Sequence, residues 1–311
     1  VLLSLHHFKE ALEVGTKAAG INRNNGFICG VLCDANVELG HYEEAVKMSD
    51  LMQSLRPGLE SYSRASYLRE IYGDNVGAIE AMKLAFQAGL AGSEEASWAG
   101  NTLSHLHKNT GDLKKAEEIS QIIIEQRPGY AFSLSTLGQI EIDKGHYDKA
   151  IARFDEAIKV MPEVAFFENK AIALNRMGET AKSQDIYQKC IKMLTTDAES
   201  GHYVDMELAK IYLELGDNFN AMKFAKTEFE RRPENIDVNH TMARVYFAMG
   251  DFVTAKKHID IAMRMGTKNA ELLAHAGQIE KELGNAKVAA ELMNKSKKIN
   301  PFLYNPQLKK S

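Results

Sequence analysis

The sequence predicts an all-α solenoid of tandem helix hairpins, and three phased rows of residues carry that prediction. Glycines recur as Gly40, Gly73, Gly111, Gly145, Gly178, Gly216, Gly250 and Gly284, at separations of 33, 38, 34, 33, 38, 34 and 34 residues. Five residues after each stands Ala45, Ala78, Ala116, Ala150, Ser183, Ala221, Ala255 or Ala289, and seven before it stands Cys33, Ser66, Ser104, Gly138, Ala171, Ala209, Ala243 or Gly277. Seventeen residues after the glycine come Pro57, Pro128, Pro162, Pro233 and Pro301, so of the 6 prolines only Pro306 is out of phase.

Each row has a physical reason. In the stretch from Gly145 to Pro162, the glycine ends one helix because it enters the left-handed cap conformation freely. Tyr147, Ala150, Ile151, Phe154, Ala157 and Ile158 then recur at helical spacing as one apolar face. Pro162 stops the helix. The two rows of small residues lie on the two helices of each hairpin, where their axes cross closely. Gly138 and Gly277 sit mid-helix at a cost of about 1 kcal/mol each relative to alanine, tolerated for that close packing. No hairpin buries its apolar face alone, so each needs a neighbour.

Eight units are expected, at about 26–57, 59–90, 97–128, 131–162, 164–195, 202–233, 236–267 and 270–301. Residues 1–25 read as the remnant of a truncated repeat, because Ala11 aligns with the row after the glycine and puts a turn at His6. The chain is therefore expected to be a fragment of a longer protein, and its compartment, cytoplasmic or periplasmic, is left open. Asp74, Asp112, Asp217, Asp251 and Asn285, each following its glycine, are expected N-caps; His41 and His146 occupy the same position. The two 38-residue intervals lack the phased proline, with Leu90 and Thr195 in its place, so the second helix runs on or a loop forms. Gly89, Gly92 and Ser93 favour a loop in the first case, and Thr195, Thr196 and Gly201 favour one in the second. In the tail 302–311, Phe302, Leu303, Tyr304 and Leu308 are expected to cover the end of the solenoid, with partner binding as the alternative.

A period near 34 with two helices per unit resembles the tetratricopeptide repeat over nearly the whole chain. Leu137-Gly138, Gly145, Tyr147, Ala150, Phe154, Ala157 and Pro162 match it best, whereas Cys29, Gly100, Asp205 and Asn239 replace its aromatic early in the first helix. The wording SRASYLREIYGD and EEASWA is similar to one group of bacterial multi-repeat proteins, a likeness that brings no assigned function. The resemblance implies a right-handed superhelix whose first helices line a concave inner wall. It places Phe27, Glu60, Trp98, Phe132 and Asp237 on one inward row. Asp34, Tyr67, His105, Gln139, Lys210 and Arg244 fall on a second, with Asn101, Ser135 and His240 between. Some members clamp the C-terminal carboxylates of chaperones with paired Lys and Asn on these rows. Gly30 and Asp34, then Ser63 and Tyr67, stand there instead, so no chaperone clamp is expected.

Composition and motifs exclude other classes. The formal net charge is −4, so no nucleic-acid footprint is expected, and no run of about 18 apolar residues spans a membrane. The 3 cysteines are Cys29, Cys33 and Cys190, too few and odd in number for a disulfide framework. Cys29 and Cys33 share a helix face, and a metal there lacks further ligands at metal spacing, so both read as packing residues. There is no GxGxxG, Walker, HExxH, GxSxG or CxxC motif, so neither enzyme activity nor a cofactor is expected. Acids in the early units (Asp34, Glu38, Glu60, Glu70) and bases in the later ones (Arg176, Lys210, Arg244) are able to orient a bound segment.

The function expected is a non-catalytic scaffold gripping a protein or peptide on its concave face. The alternatives are a recruiting or regulatory arm of a larger enzyme, or a bacterial peptide-sensing regulator. The contact surface is expected at Tyr67, Trp98, Asn101, His105, Phe132, Ser135 and Gln139, continued by Lys210 and Arg244. Trp98, the 1 tryptophan, falls on the inward row, where an aromatic ring makes a good anchor. Packing of Trp98 and Phe132 against the neighbouring unit is the competing reading.

Overall fold

A computed structural model describes residues 1–303, which form 17 α-helices and no strand. The sequence-read tail residues Tyr304 and Leu308 lie outside the described residues. Helix α1 (Phe8–Ile21) precedes eight hairpins. Their first helices are α2 (Gly26–Leu39), α4 (Leu59–Ile71), α6 (Glu94–Asn109), α8 (Ala131–Asp143), α10 (Val164–Arg176), α12 (Asp205–Leu215), α14 (Ile236–Ala248) and α16 (Ala270–Glu282). The second helices are α3 (Tyr42–Leu55), α5 (Asn75–Ala88), α7 (Leu113–Gln126), α9 (Tyr147–Val160), α11 (Thr180–Glu199), α13 (Asn218–Arg231), α15 (Phe252–Met263) and α17 (Ala286–Ile299).

The two small rows meet inside each hairpin. Ser66 Oγ donates to the Ala78 carbonyl at 2.7 Å, Ser104 Oγ to Ala116 at 2.7 Å, and Ser183 Oγ to Ala171 at 2.8 Å. A Cβ at Gly138 would stand 2.5 Å from the Phe154 ring, so glycine there is what lets the helices approach. The eight phased glycines all have φ between 75° and 86°, and His6 takes the same left-handed turn at φ 63°.

The capping residues divide. Asp74, Asp112, Asp217 and Asp251 each accept from the third helical N–H. Asn285 does not cap; its amide reaches back 2.7 Å to Glu280. His146 turns the same way, 2.7 Å from Glu141. The two long intervals also differ. The first is a loop capped by Ser93, whose Oγ accepts from Ala96 N–H at 3.2 Å. In the second, no loop forms at Thr195 and Thr196: α11 runs on for 20 residues, ending before Gly201 at φ 92°. Both threonines donate to carbonyls one turn back, a bond that satisfies the hydroxyl without breaking the helix.

The hairpins coil so tightly that the turn of each early unit docks on a later joint. Tyr203 N–H donates to Leu5 O at 3.1 Å, and His6 Nδ1 lies 2.7 Å from Tyr203 O. Ile236 N–H donates to Tyr42 Oη at 3.0 Å, and Asn235 Nδ2 to Glu38 O at 3.0 Å. Asn300 Nδ2 reaches Lys108 O at 3.2 Å. These partners are 192 to 198 residues apart, which is between five and six repeats of about 34 residues. A Cβ at Gly40 or Gly73 would stand 2.4 Å from the Glu234 backbone or 2.3 Å from Gly266 O, so two turn glycines also permit this docking.

The contact is apolar and ionic together. Ile236 packs into a cluster with Cys33, Val37, Tyr42 and Leu68. Arg232, only 5% exposed, bonds Glu228 on its own helix end and Glu38 across the contact. Arg232→Ala is expected to cost about 3 kcal/mol, because it removes the buried cation that Glu228 and Glu38 share, leaving Glu228 with Arg231 alone and Glu38, among the described residues, with no cation within 4.0 Å. Urea denaturation followed by circular dichroism measures it; a loss below about 1 kcal/mol would show that this contact carries little stability.

Candidate partner-binding groove

The first helices of successive units line the inner wall. Over the first three units that wall opens into a cavity of about 620 Å³, inside the range of roughly 300–1,000 Å³ that binding pockets occupy. Cys33, Asp34, Val37 and Glu38 of α2 form one side, and Leu59, Arg64 and Tyr67 of α4 form the floor. Met82 of α5 enters between them, and Glu95, Trp98 and Thr102 of α6 close the far side. Tyr67 is 42% exposed and Trp98 46%, large rings left open where most apolar side chains of the hairpins are covered. Nearby Phe27, 58% exposed, carries the Arg56 guanidinium 4.0 Å above its ring.

Charge on this wall is mostly negative. Asp34, Glu38, Glu60, Glu94 and Glu95 line the cavity against the single guanidinium of Arg64. Arg64 is spent on Asp34, with Nε 2.8 Å from Oδ1 and Nη2 2.6 Å from Oδ2. Burial pushes the Glu38 and Glu70 carboxyls up, and Asp237 of α14, facing them, pushes the same way. Burial and then Asp237 also raise the Tyr67 phenol well above its ordinary value. Cys33 is pushed up to about 12 by burial and by Asp34, so it is an inert thiol.

The other residues named from the sequence are distributed along the wall. Asn101 is buried, and its carbonyl accepts from Ser133 Oγ at 3.2 Å and Thr136 Oγ1 at 2.8 Å. His105 Nε2 lies 2.9 Å from the same Thr136 Oγ1, and burial lowers its imidazole to about 4. Ser135 is 3% exposed. Phe132 packs edge-on against Phe166 with ring centroids 5.5 Å apart, while Gln139 is half-buried. Asn101, His105 and Phe132 thus join neighbouring units, and Tyr67 and Trp98 are the two that share the cavity. Lys210 and Arg244 stand elsewhere, where Arg244 Nη2 bonds Glu214 at 3.0 Å.

Sequence phasing did not find Arg64, Leu59, Met82 or Glu95, which lie off the two inward rows. Arg64 carried a faint signal, since an acid and a base on adjacent first helices form a natural pair. Nor did it find the half-buried His240–His275 pair, whose ring nitrogens are 2.8 Å apart. Among the described residues no group of His, Cys, Asp or Glu is arranged to hold a metal ion, and no helix is long and apolar enough to cross a membrane.

Glu168 of α10 gives the inner wall a pH signature. Burial raises its carboxyl to about 7, with Glu207 and Glu214 pushing up and Lys210 pulling down. A carboxyl raised on folding binds more protons in the native state, so its stabilising contribution is full below the unfolded value of 4.5 and declines as pH rises through about 7. Glu168→Gln is therefore expected to gain stability over the native sequence on going from pH 5 to pH 8, by at most about 3 kcal/mol. Parallel urea melts at the two pH values test this, and an unchanged difference would refute it.

No family model matches the chain. It is 23% identical over 182 residues to the TPR repeat-containing thioredoxin TTL4 of Arabidopsis thaliana, covering 56% of this chain and 24% of that protein. It is 23% identical over 183 residues to the human protein O-mannosyl-transferase TMTC1, covering 58% of this chain and 20% of that one. The chain thus spans a quarter or less of these curated relatives. Among solved structures, a chain of the APC/C hetero-tetramer Cut9–Hcn1 aligns with TM-score 0.63 and 15% identity, over 96% of this chain and 59% of that one. The human IFIT1 dimer with PPP-AAAA aligns with TM-score 0.56 and 14% identity, over 93% and 67%. Phased repeat, hairpin geometry and these similarities agree that the chain has the all-α superhelical fold of tetratricopeptide-repeat proteins.

Proposed function

We propose that the chain is a non-catalytic scaffold that holds a segment of a partner protein in the cavity between α2, α4 and α6. The observation that carries this reading is the pair of half-open rings, Tyr67 and Trp98, on the wall of a 620 Å³ cavity. Aromatic rings bury much area at little cost in conformational entropy, which is why they dominate binding energy at interfaces. A chain of similar fold is found within the Cut9–Hcn1 hetero-tetramer.

IFIT1, also similar in fold, holds a triphosphorylated oligonucleotide. This cavity presents five carboxylates and one guanidinium, the reverse of what phosphate contacts require. That charge supports a protein segment over a nucleic acid. A second reading, in which the solenoid recruits substrates for a larger protein, is favoured by the named activities of the two longer relatives. It uses the same groove.

Peptides selected from a randomised display library against the purified protein test the reading. Trp98→Ala and Tyr67→Ala are each expected to weaken the selected peptides by about 2 kcal/mol or more, leaving helical circular dichroism unchanged. Peptides that bind both variants as tightly as the parent would place the contact surface elsewhere.

A further inference from the structure

The cavity carries more negative charge than its own cations match. Arg64 is held bidentate by Asp34. Glu38 shares Arg232 with Glu228, and Glu94 faces Arg127 at 2.8 Å. Glu60 stands 3.8 Å from Arg56, both of them exposed. Among the described residues no cation lies within 4.0 Å of Glu95, nor of Glu70 and Asp237 deeper on the inner wall. Like charges gathered in a concave surface raise one another's energy, and a cation entering there relieves it.

The form of the cation follows from its surroundings. The acids are spread over α2, α4 and α6 and are not arranged to hold a metal ion. Leu59 and Met82 give an apolar floor, and the open faces of Tyr67 and Trp98 attract a cation through their ring quadrupoles. An aliphatic stem ending in a charged head fits this combination. Such a head fills only part of 620 Å³, which leaves room for the neighbouring residues of a chain. Building on the scaffold reading, we propose that the bound segment inserts a lysine or arginine side chain between Tyr67 and Trp98, with its head among Glu38, Glu60 and Glu95.

The test uses tryptophan-free pools of capped nine-residue peptides, randomised except for a central Arg, Lys, citrulline, Glu or Leu. Binding is read from Trp98 emission. The Arg and Lys pools are expected to bind at least tenfold more tightly than the others. The double variant Glu60→Gln with Glu95→Gln, altered only at exposed side chains, should cut that preference below threefold. Circular dichroism of this variant checks that the fold is intact. A Glu, Leu or citrulline pool binding as tightly as the Arg pool would overturn the proposal and leave the scaffold reading standing. So would an undiminished preference in the double variant. If no pool alters Trp98 emission, the scaffold reading fails with it.

Discussion

Everything in this molecule depends on how closely two helices cross within a hairpin. At the crossing only glycine, alanine, serine and, once, cysteine stand. Ala150 and Ala171 are fully buried, Gly138 lies against the Phe154 ring, and the serines of the row fold their hydroxyls onto the facing carbonyl. That approach sets the angle of each hairpin, and the angle, repeated eight times, sets the curvature of the superhelix. Such curvature is a sum of small rotations, so a modest local constraint has a large effect over the whole chain.

Here the curvature is tight enough for the chain to meet itself. Turns near the beginning of the chain bond joints nearly two hundred residues later, through Tyr42, Asn235, His6 and Tyr203. A nearest-neighbour solenoid thereby gains long-range contacts that an open array lacks. One consequence is mechanical, since the inner wall cannot splay without breaking the Arg232 cluster. Another is electrostatic. Asp237 on α14 is carried to face Glu38 and Glu70 from the first two units, which concentrates negative charge beside Tyr67.

The parts legible in the sequence are those governed by local rules. Glycine at a left-handed turn, small residues at a crossing and proline after a helix each act within a few residues, so phase alone locates them. Phase also located the left-handed turn at His6, which no glycine marks. It set Tyr67 and Trp98 on one wall because both count back from a turn along a regular helix. It failed where two local rules competed. Thr195 and Thr196 have low helix propensity, yet α11 continues through them because their hydroxyls bond back to the helix. It set Asn101 on the contact surface and missed its partners Ser133 and Thr136, which stand on the next unit and bury it. Such bonds, and the contact between superhelical turns, depend on angles between units that no single segment encodes. Arg232 and Glu38 read as ordinary surface charges until the superhelix brings them together.

A partner segment can reach Trp98 only if the ring stands open to water on an acidic inner wall. Collisional quenching of its emission by cesium and by iodide, each measured against free N-acetyltryptophanamide, examines both properties in the unliganded protein. Negative potential concentrates cations and excludes anions within about 8 Å at physiological salt. Cesium should therefore quench Trp98 more efficiently than iodide, and the difference should shrink as salt is raised. Stronger quenching by iodide would contradict the acidic wall, and protection from both ions would place Trp98 in the core.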